Sequence, residues 1–194
     1  SDVARDDTNK DLSTEERNLL SVAFKNVIGS RRASWRVIQS IADSESDDSR
    51  TKILDEYRTV IETEIEKICD EILEIIDGLV KGSDETEPKV FYLKMKGDYL
   101  RYLAEFQTGV KKEKSSADAN SAYAEADKAA TADGSGSGLP PTDPIRLGLA
   151  LNVSSIRPLC HAGASSLLLF YCPYSYGVVD ARRESTTPVV LLSG

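Results

Sequence analysis

The chain has 194 residues, 40% of them hydrophobic, which is enough apolar material for the core of one ordinary or one large domain. A formal charge of −8 argues against nucleic-acid binding, because that function leaves a basic face on a protein. Three cysteines, Cys69, Cys160 and Cys172, show no disulfide framework, which predicts an intracellular, cytoplasmic protein. The apolar run 167–171 is far shorter than the about 20 residues that span a bilayer, so we expect no membrane partner.

The first predicted helix covers residues 14–43. Ser13 and Glu16 have the spacing of a capping box, in which each side chain bonds the other residue's backbone amide. Apolar residues then recur at helical spacing, at Leu19, Leu20, Ala23, Val27, Trp35 and Ile38. Asp43 begins a polar segment that ends this helix.

A basic stripe lies on the same helix. Lys25, Arg32 and Arg36 are seven and four residues apart, and the first two are about 10 Å apart along the axis. Their side chains can converge on one phosphate, with lysine as a point charge and arginine as a planar fork of donors. Basic residues on one face of a helix are usually just its solvated side, so the stripe taken alone favours that interpretation.

Three more helices are predicted, over residues 49–80, 89–107 and 112–132, with a loop at 82–88. The helix 49–80 carries a continuous apolar seam from Ile53 to Leu79, with acidic residues on its remaining surface. The helix 112–132 is rich in alanine. Cys69 lies on the apolar seam and is expected to be a buried thiol.

Four segments of the chain resemble the 14-3-3 family in composition, order and spacing, within residues 12–154. They are Glu15-Glu16-Arg17-Asn18-Leu19-Leu20-Ser21-Val22-Ala23, the stretch from Lys25 to Arg36, the stretch Val90-Phe91-Tyr92-Leu93-Lys94-Met95-Lys96-Gly97-Asp98-Tyr99-Leu100-Arg101-Tyr102-Leu103-Ala104-Glu105-Phe106, and Pro144-Ile145-Arg146-Leu147-Gly148-Leu149-Ala150-Leu151-Asn152-Val153-Ser154. The resemblance implies an all-α fold, an antiparallel helical array. It also implies an adaptor that binds phosphoserine or phosphothreonine in client proteins.

The family's binding residues match positions of this chain one by one. The resemblance implies a phosphate pocket formed by Lys25, Arg32, Arg101 and Tyr102. It also implies that Asn152 contacts the peptide backbone and that Leu151 forms an apolar wall of the groove. A phosphate carries about −1.5 to −2 charges and needs several donors to replace its water, which these side chains supply.

Each of these residues also has a structural interpretation. Arg101 and Tyr102 could belong to a core stripe with Tyr92, Met95, Tyr99, Leu103 and Phe106, with Arg101 paired to an acidic neighbour. Asn152 could bond locally inside its helix. Lys94 and Lys96 are interpreted as solvated surface rather than site residues.

The chain departs from the family at several places. Residues 134–138 have linker composition and are interpreted as an insertion, and Asp143 replaces the family's histidine at a helix start, which an acid suits. Before Leu12 the family has two helices that form most of its dimer interface, and after Ser154 nothing in the chain matches the family's remaining helices, so the array is expected to be incomplete at both ends. The resemblance implies a homo- or heterodimer with family members, but the expected loss of the first two helices makes this dimer doubtful. It also predicts an apolar surface that is partly uncovered around Ile38 and Tyr57. Residues 155–194 are predicted to be a divergent tail that follows a partial domain at 1–154.

Two functions follow from these expectations. The first is the phosphopeptide-binding adaptor, and the alternative is a non-binding helical protein that only associates with full-length relatives. An enzyme is not expected, because His161 has no evident acidic partner, and neither a metal site nor a cofactor is expected. Ser34 follows Arg31-Arg32-Ala33, a spacing that basophilic kinases recognise. It is a candidate regulatory phosphorylation site, or otherwise a small residue chosen for helix packing.

Overall fold

A computed structural model describes residues 12–131 and 138–161, with side chains described as far as residue 153. These residues form five helices and no strand, which confirms the all-α prediction. The helices are α1 (Thr14–Ser44), α2 (Asp48–Gly82), α3 (Thr86–Phe106), α4 (Gly109–Ala130) and α5 (Pro144–His161). The connections at 45–47, 83–85 and 107–108 are so short that consecutive helices run antiparallel.

Side-chain caps fix the starts of the first two helices. The Glu16 amide donates to Ser13 Oγ at 3.3 Å and the Ser13 amide donates to Glu16 Oε2 at 2.9 Å, so the predicted capping box is confirmed. Asp47 Oδ1 accepts from the Ser49 and Arg50 amides at 2.8 and 3.3 Å. These bonds satisfy amides that have no partner within their own helix.

α3 and α4 each begin three residues before their predicted starts. α3 begins at Thr86, so Pro88 lies in the first helical turn rather than in the predicted loop. Proline is tolerated there because its missing amide would have had no helical partner. α4 begins at Gly109, whose φ of 56° lies in the left-handed region that glycine enters without steric cost, and ends at Ala130.

Two hydrophobic clusters meet at α3, which makes that helix the centre of the array. The first joins α1, α2 and α3 and includes Ile28, Ile61, Ile65, Cys69, Ile72, Ile76, Tyr92, Met95, Tyr99 and Leu103. The second joins α3 to α4, α5 and Leu139 and includes Val90, Leu93, Leu100, Ala119, Tyr123, Ala126 and Leu149. Each helix packs against the next, and α3 also packs against α5. Cys69 is fully buried, as predicted.

The connection from α4 to α5 closes on itself. The Leu139 amide donates to the Ala130 carbonyl at 2.9 Å, so the end of α4 and the segment before α5 lie side by side. Residues 134–137 of the predicted insertion lie outside the described residues. Asp143 caps α5 by accepting from the Ile145 and Arg146 amides at 2.8 and 3.2 Å, which explains how an acid fits at this helix start.

α1 and α2 keep several large apolar side chains exposed. We call this set the apolar face, and its members are Leu19, Val27, Val37 and Ile41 of α1 with Ile53, Tyr57 and Val60 of α2, which are 43% to 71% exposed. The expected uncovering at Tyr57 is confirmed, with 54% exposure, whereas Ile38 is half-buried against the first cluster. At the other end of the described residues, α5 continues to His161, seven residues beyond Ser154.

Candidate functional site

Two arginines from different helices meet at one phenol ring. Arg32 of α1 places its Cζ 3.9 Å from the centroid of the Tyr102 ring, and Arg101 of α3 places its Cζ 4.9 Å from the same centroid. The negative face of an aromatic ring attracts such cations. The arginine side chains keep 18% and 16% of their surface exposed, so solvent still reaches both.

Glu105 links two cations of the basic stripe to α3. Its Oε2 accepts from Arg32 Nε at 2.8 Å and lies 2.6 Å from Arg32 Nη2. Its Oε1 accepts from Arg36 Nε at 2.8 Å and lies 2.7 Å from Arg36 Nη2. Burial raises the pKa of Glu105, but the two guanidiniums and their hydrogen bonds lower it further, so the net shift is downward and the carboxylate is ionised at neutral pH.

Asp98 is the most buried charge of the site, with 4% of its surface exposed. Its Oδ1 accepts from the Tyr123 hydroxyl at 2.5 Å and lies 3.6 Å from Arg101 Nη2, while its Oδ2 lies 3.0 Å from Lys94 Nζ. Burial raises the pKa of Asp98, but Lys94, Arg101 and the Tyr123 bond together lower it below its usual value. Burial and the nearby Asp98 charge raise the pKa of Tyr123, which keeps its proton for this bond.

Asn152 of α5 reaches the same carboxylate, since its Nδ2 donates to Asp98 Oδ1 at 2.6 Å. The structure thus brings Arg32, Arg101, Tyr102 and Asn152 into one connected cluster. Lys25 lies on α1 two turns before Arg32 with an exposed side chain, and Leu151 precedes Asn152 with 48% exposure. These two lie beside the cluster on its helices.

Ser34 belongs to another side of α1. It is exposed, and its hydroxyl donates to the Ser30 carbonyl at 3.1 Å within the helix. The neighbouring Arg31 pairs with Glu64 of α2 at 3.3 Å rather than with the cluster. The two arginines that precede Ser34 therefore have different partners.

The structural interpretations of these residues are partly correct. Tyr92, Met95 and Tyr99 are buried in the first hydrophobic cluster, so α3 does carry a core stripe, and Asp98 is the acidic neighbour of Arg101. The interpretation of Lys94 as solvated surface is wrong, because its side chain is only 19% exposed and pairs with Asp98. Lys96 is half-buried and lies 2.7 Å from Asp77 of α2.

Three residues of the site were missed from the sequence: Asp98, Glu105 and Tyr123. Asp98 had a signal, because it lies four residues after Lys94 and three before Arg101, the spacings of helical ion pairs. Glu105 lies four residues after Arg101, which is also an ion-pair spacing, but it pairs with Arg32 of α1 instead. Local spacing cannot show a pair between two helices. Tyr123 is the one aromatic residue of the alanine-rich α4, and only the packing of α4 on α3 brings it to Asp98.

Other chemistry finds little support within residues 12–131 and 138–153. No group of histidine, cysteine or carboxylate side chains there has the arrangement of a metal site. Burial and nearby acidic groups raise the pKa of Cys69 to about 12, which makes it a poor nucleophile. The side chains of Cys160, His161 and Cys172 lie outside the described residues. Within the described helices, none is both long and apolar enough to cross a membrane.

Four cationic side chains, Lys94, Arg32, Arg36 and Arg101, therefore meet two carboxylates, Asp98 and Glu105, so the cluster keeps two positive charges. The guanidinium groups of three of these cations carry planar donor forks that match the geometry of an oxyanion. The described residues thus form a helical array with a cluster of net positive charge held between α1, α3 and α5.

Sequence comparisons place this array in a family. A family model described as 14-3-3 protein matches residues 2–156. The chain is 54% identical over 156 residues to the 14-3-3-like protein GF14-E of Oryza sativa subsp. japonica, covering 78% of this chain and 58% of the relative. It is 56% identical over 146 residues to the 14-3-3-like protein of Fucus vesiculosus, covering 75% and 56%. The chain belongs to the 14-3-3 family, and it spans a little over half the length of these relatives.

Proposed function

We propose that this chain is a phosphopeptide-binding adaptor that recognises phosphoserine or phosphothreonine in client proteins. One observation carries the proposal: Arg32 and Arg101, from two helices, converge on the ring of Tyr102. The two positive charges that the cluster retains match the −1.5 to −2 charges of a phosphate at pH 7. A carboxylate ligand would leave part of this charge without a partner.

Each binding residue has a separate role. Arg32 and Arg101 clamp the phosphate by charge-assisted hydrogen bonds, Lys25 adds a point charge, and Tyr102 donates its hydroxyl. Asn152, held by Asp98, bonds the peptide backbone, and the exposed Leu151 packs against an apolar side chain of the client. The chain acts in the cytoplasm by binding clients and not as an enzyme, and it needs no cofactor for this role.

The test is a titration of a fluorescent phosphoserine peptide and its unphosphorylated twin. Hydrogen bonds to charged groups contribute about 1.5–3 kcal/mol each, and about 1.4 kcal/mol corresponds to a tenfold change in affinity. Arg32→Glu or Arg101→Glu should therefore abolish the preference for the phosphorylated twin, and Lys25→Glu should do much the same. Arg50→Glu is the matched control, because Arg50 is 72% exposed and lies outside the cluster.

The decisive outcome is the preference of the wild-type chain. A wild type that binds both twins equally would overturn the proposal. So would an Arg50→Glu variant that loses as much selectivity as Arg32→Glu, because the effect would then follow net charge rather than the pocket.

A further inference from the structure

Each arginine at the Tyr102 ring pairs with its own carboxylate of α3. Arg32 contacts Glu105 and Arg101 faces Asp98. Asp98 and Glu105 are seven residues apart, about two helical turns, so they share one side of α3. The two carboxylates differ in exposure, since Asp98 is buried and the Glu105 side chain is 28% exposed.

Two carboxylates in a site for an anion need an explanation, because each one repels the ligand. They also separate cations that would otherwise repel one another around a single ring. Arg32 meets Glu105 through its Nε–Nη2 edge. A guanidinium has a second edge of the same fork geometry, formed by its two Nη groups, so Arg32 can hold Glu105 and a phosphate oxygen pair together.

The contacts fix the arginines before a ligand arrives. Arg32 is held by the Tyr102 ring on one side and by Glu105 on another. Arg101 faces Asp98, and its Nε donates to the Tyr123 hydroxyl at 3.5 Å. A long side chain that is already ordered loses less freedom on binding, which favours a tighter complex.

We propose that Asp98 and Glu105 are positioning residues, which hold Arg101 and Arg32 in the orientation that receives a ligand phosphate. Asp98 holds Asn152 as well, so one buried carboxylate orients a phosphate contact and the backbone contact of the peptide together. This inference rests on the proposed function.

Glu105→Gln gives a test by the sign of its effect. The change removes a negative charge from an anion site, so a carboxylate that acted only through charge would predict tighter phosphopeptide binding. Positioning predicts weaker phosphopeptide binding. The expected loss of affinity is about tenfold, by analogy with metal sites, where removing a residue that orients a ligand has an effect of this size. Glu64→Gln is the matched control, because Glu64 also pairs with an arginine of α1, Arg31, but outside the cluster. Its affinity should equal that of the wild type.

A double-mutant cycle shows whether Glu105 acts through Arg32. In an Arg32→Lys background the Glu105→Gln change should have less than half of its effect on the logarithm of affinity. Asp98→Asn should also weaken binding about tenfold. Because Asp98 is buried and that variant can fail to fold, Tyr123→Phe provides a milder version that removes only the hydroxyl contacting Asp98 and Arg101, and it should give a smaller loss.

The outcomes separate the two proposals. If the wild type prefers the phosphorylated twin but Glu105→Gln binds it equally or more tightly, positioning is wrong and the proposed function stands. Equal effects of Glu105→Gln in the wild-type and the Arg32→Lys backgrounds would also overturn positioning. A wild type that does not distinguish the twins overturns the proposed function and this inference with it.

Discussion

α1 carries two groups of side chains, one charged and one apolar, which differ in how completely other helices of the same chain contact them. Arg32 and Arg36 project toward α3 and meet Glu105 at 2.6–2.8 Å. Val37 lies five residues after Arg32, about 140° around the helix, and is 58% exposed. Burying a charged side chain without a partner is costly, and the two arginines are paired with a carboxylate of another helix. The apolar side chains of the face are not covered by another helix of the described residues.

The difference assigns separate roles to the two regions. The side chains of the cluster around Tyr102 all come from a single chain, so the phosphopeptide binding that we propose needs no second chain. The apolar face combines side chains of α1 and α2, and grouped exposed apolar residues of this kind mark surfaces of association. Binding of a phosphopeptide and association of chains should therefore respond to different substitutions.

The largest effect is expected where the cluster depends on close packing. A Cβ at Gly97 of α3 would lie 2.6–2.8 Å from three ring atoms of Tyr123, which is buried and holds Asp98. Gly97→Ala should thus lower the free energy of unfolding by about 1–3 kcal/mol, measured by urea denaturation, and weaken phosphopeptide binding. Gly78→Ala is the control, because no atom lies within 4 Å of the added Cβ.

Gly78 lies inside α2, so its replacement should leave binding unchanged and stabilise the chain by as much as about 1 kcal/mol through helix propensity. If Gly97→Ala proved as stable as Gly78→Ala, the ring of Tyr123 would be able to move aside. The hydrogen bond from Tyr123 to Asp98 would then not be needed for a stable cluster.

The sequence was a good guide to what depends on local pattern. The capping box at Ser13, the acid at the start of α5 and the shared side of Arg32 and Arg36 on α1 follow from the local sequence, and each is found as expected. The apolar seam of α2 packs into the first hydrophobic cluster from Ile61 onward, whereas its first residues, such as Ile53 and Tyr57, are exposed. Lys25, Arg32, Arg101 and Tyr102 lie on helices that the pattern had located. Leu151 and Asn152 lie on α5, of which only the start near Asp143 had been expected.

What the sequence did not show depends on contacts between helices. Glu105 could have paired with Arg101 one turn away, but it contacts α1 instead, and Tyr123 gained its role only because α4 packs closely at Gly97. The start of α3 was placed three residues too late because residues 82–88 were assigned to a loop, although the first turn of a helix accepts a proline such as Pro88.

A moderate effect is expected from a charge placed in the apolar face. Tyr57→Glu should reduce self-association at micromolar concentration, measured by sedimentation velocity, because a buried interface disfavours an unpaired carboxylate. Tyr57 is 54% exposed, so the free energy of unfolding of the single chain should change by no more than about 0.5 kcal/mol. Val110→Glu on α4, where the valine is 81% exposed, is the control for added charge alone.

A loss of several kcal/mol in Tyr57→Glu would mean that this side chain is covered within one chain. An equal reduction of association by Val110→Glu would show that net charge, and not the apolar face, controls assembly.

The smallest effect is expected at Ser34. It lies three residues before Val37 and seven after Val27, so a phosphate there would bring charge to the apolar face. The Ser34 hydroxyl bonds only its own helix, so Ser34→Glu should leave helicity by circular dichroism unchanged. It should weaken self-association, or pairing with a full-length relative in a mixed pull-down, by less than Tyr57→Glu does, because Ser34 contributes little apolar area. Ser121→Glu is the matched control, since Ser121 is an exposed serine on α4, a helix that carries no residue of the apolar face. If pairing is the same in Ser34→Glu, Ser121→Glu and the wild type, Ser34 is not a regulatory site, and its small size serves the approach of a neighbouring helix.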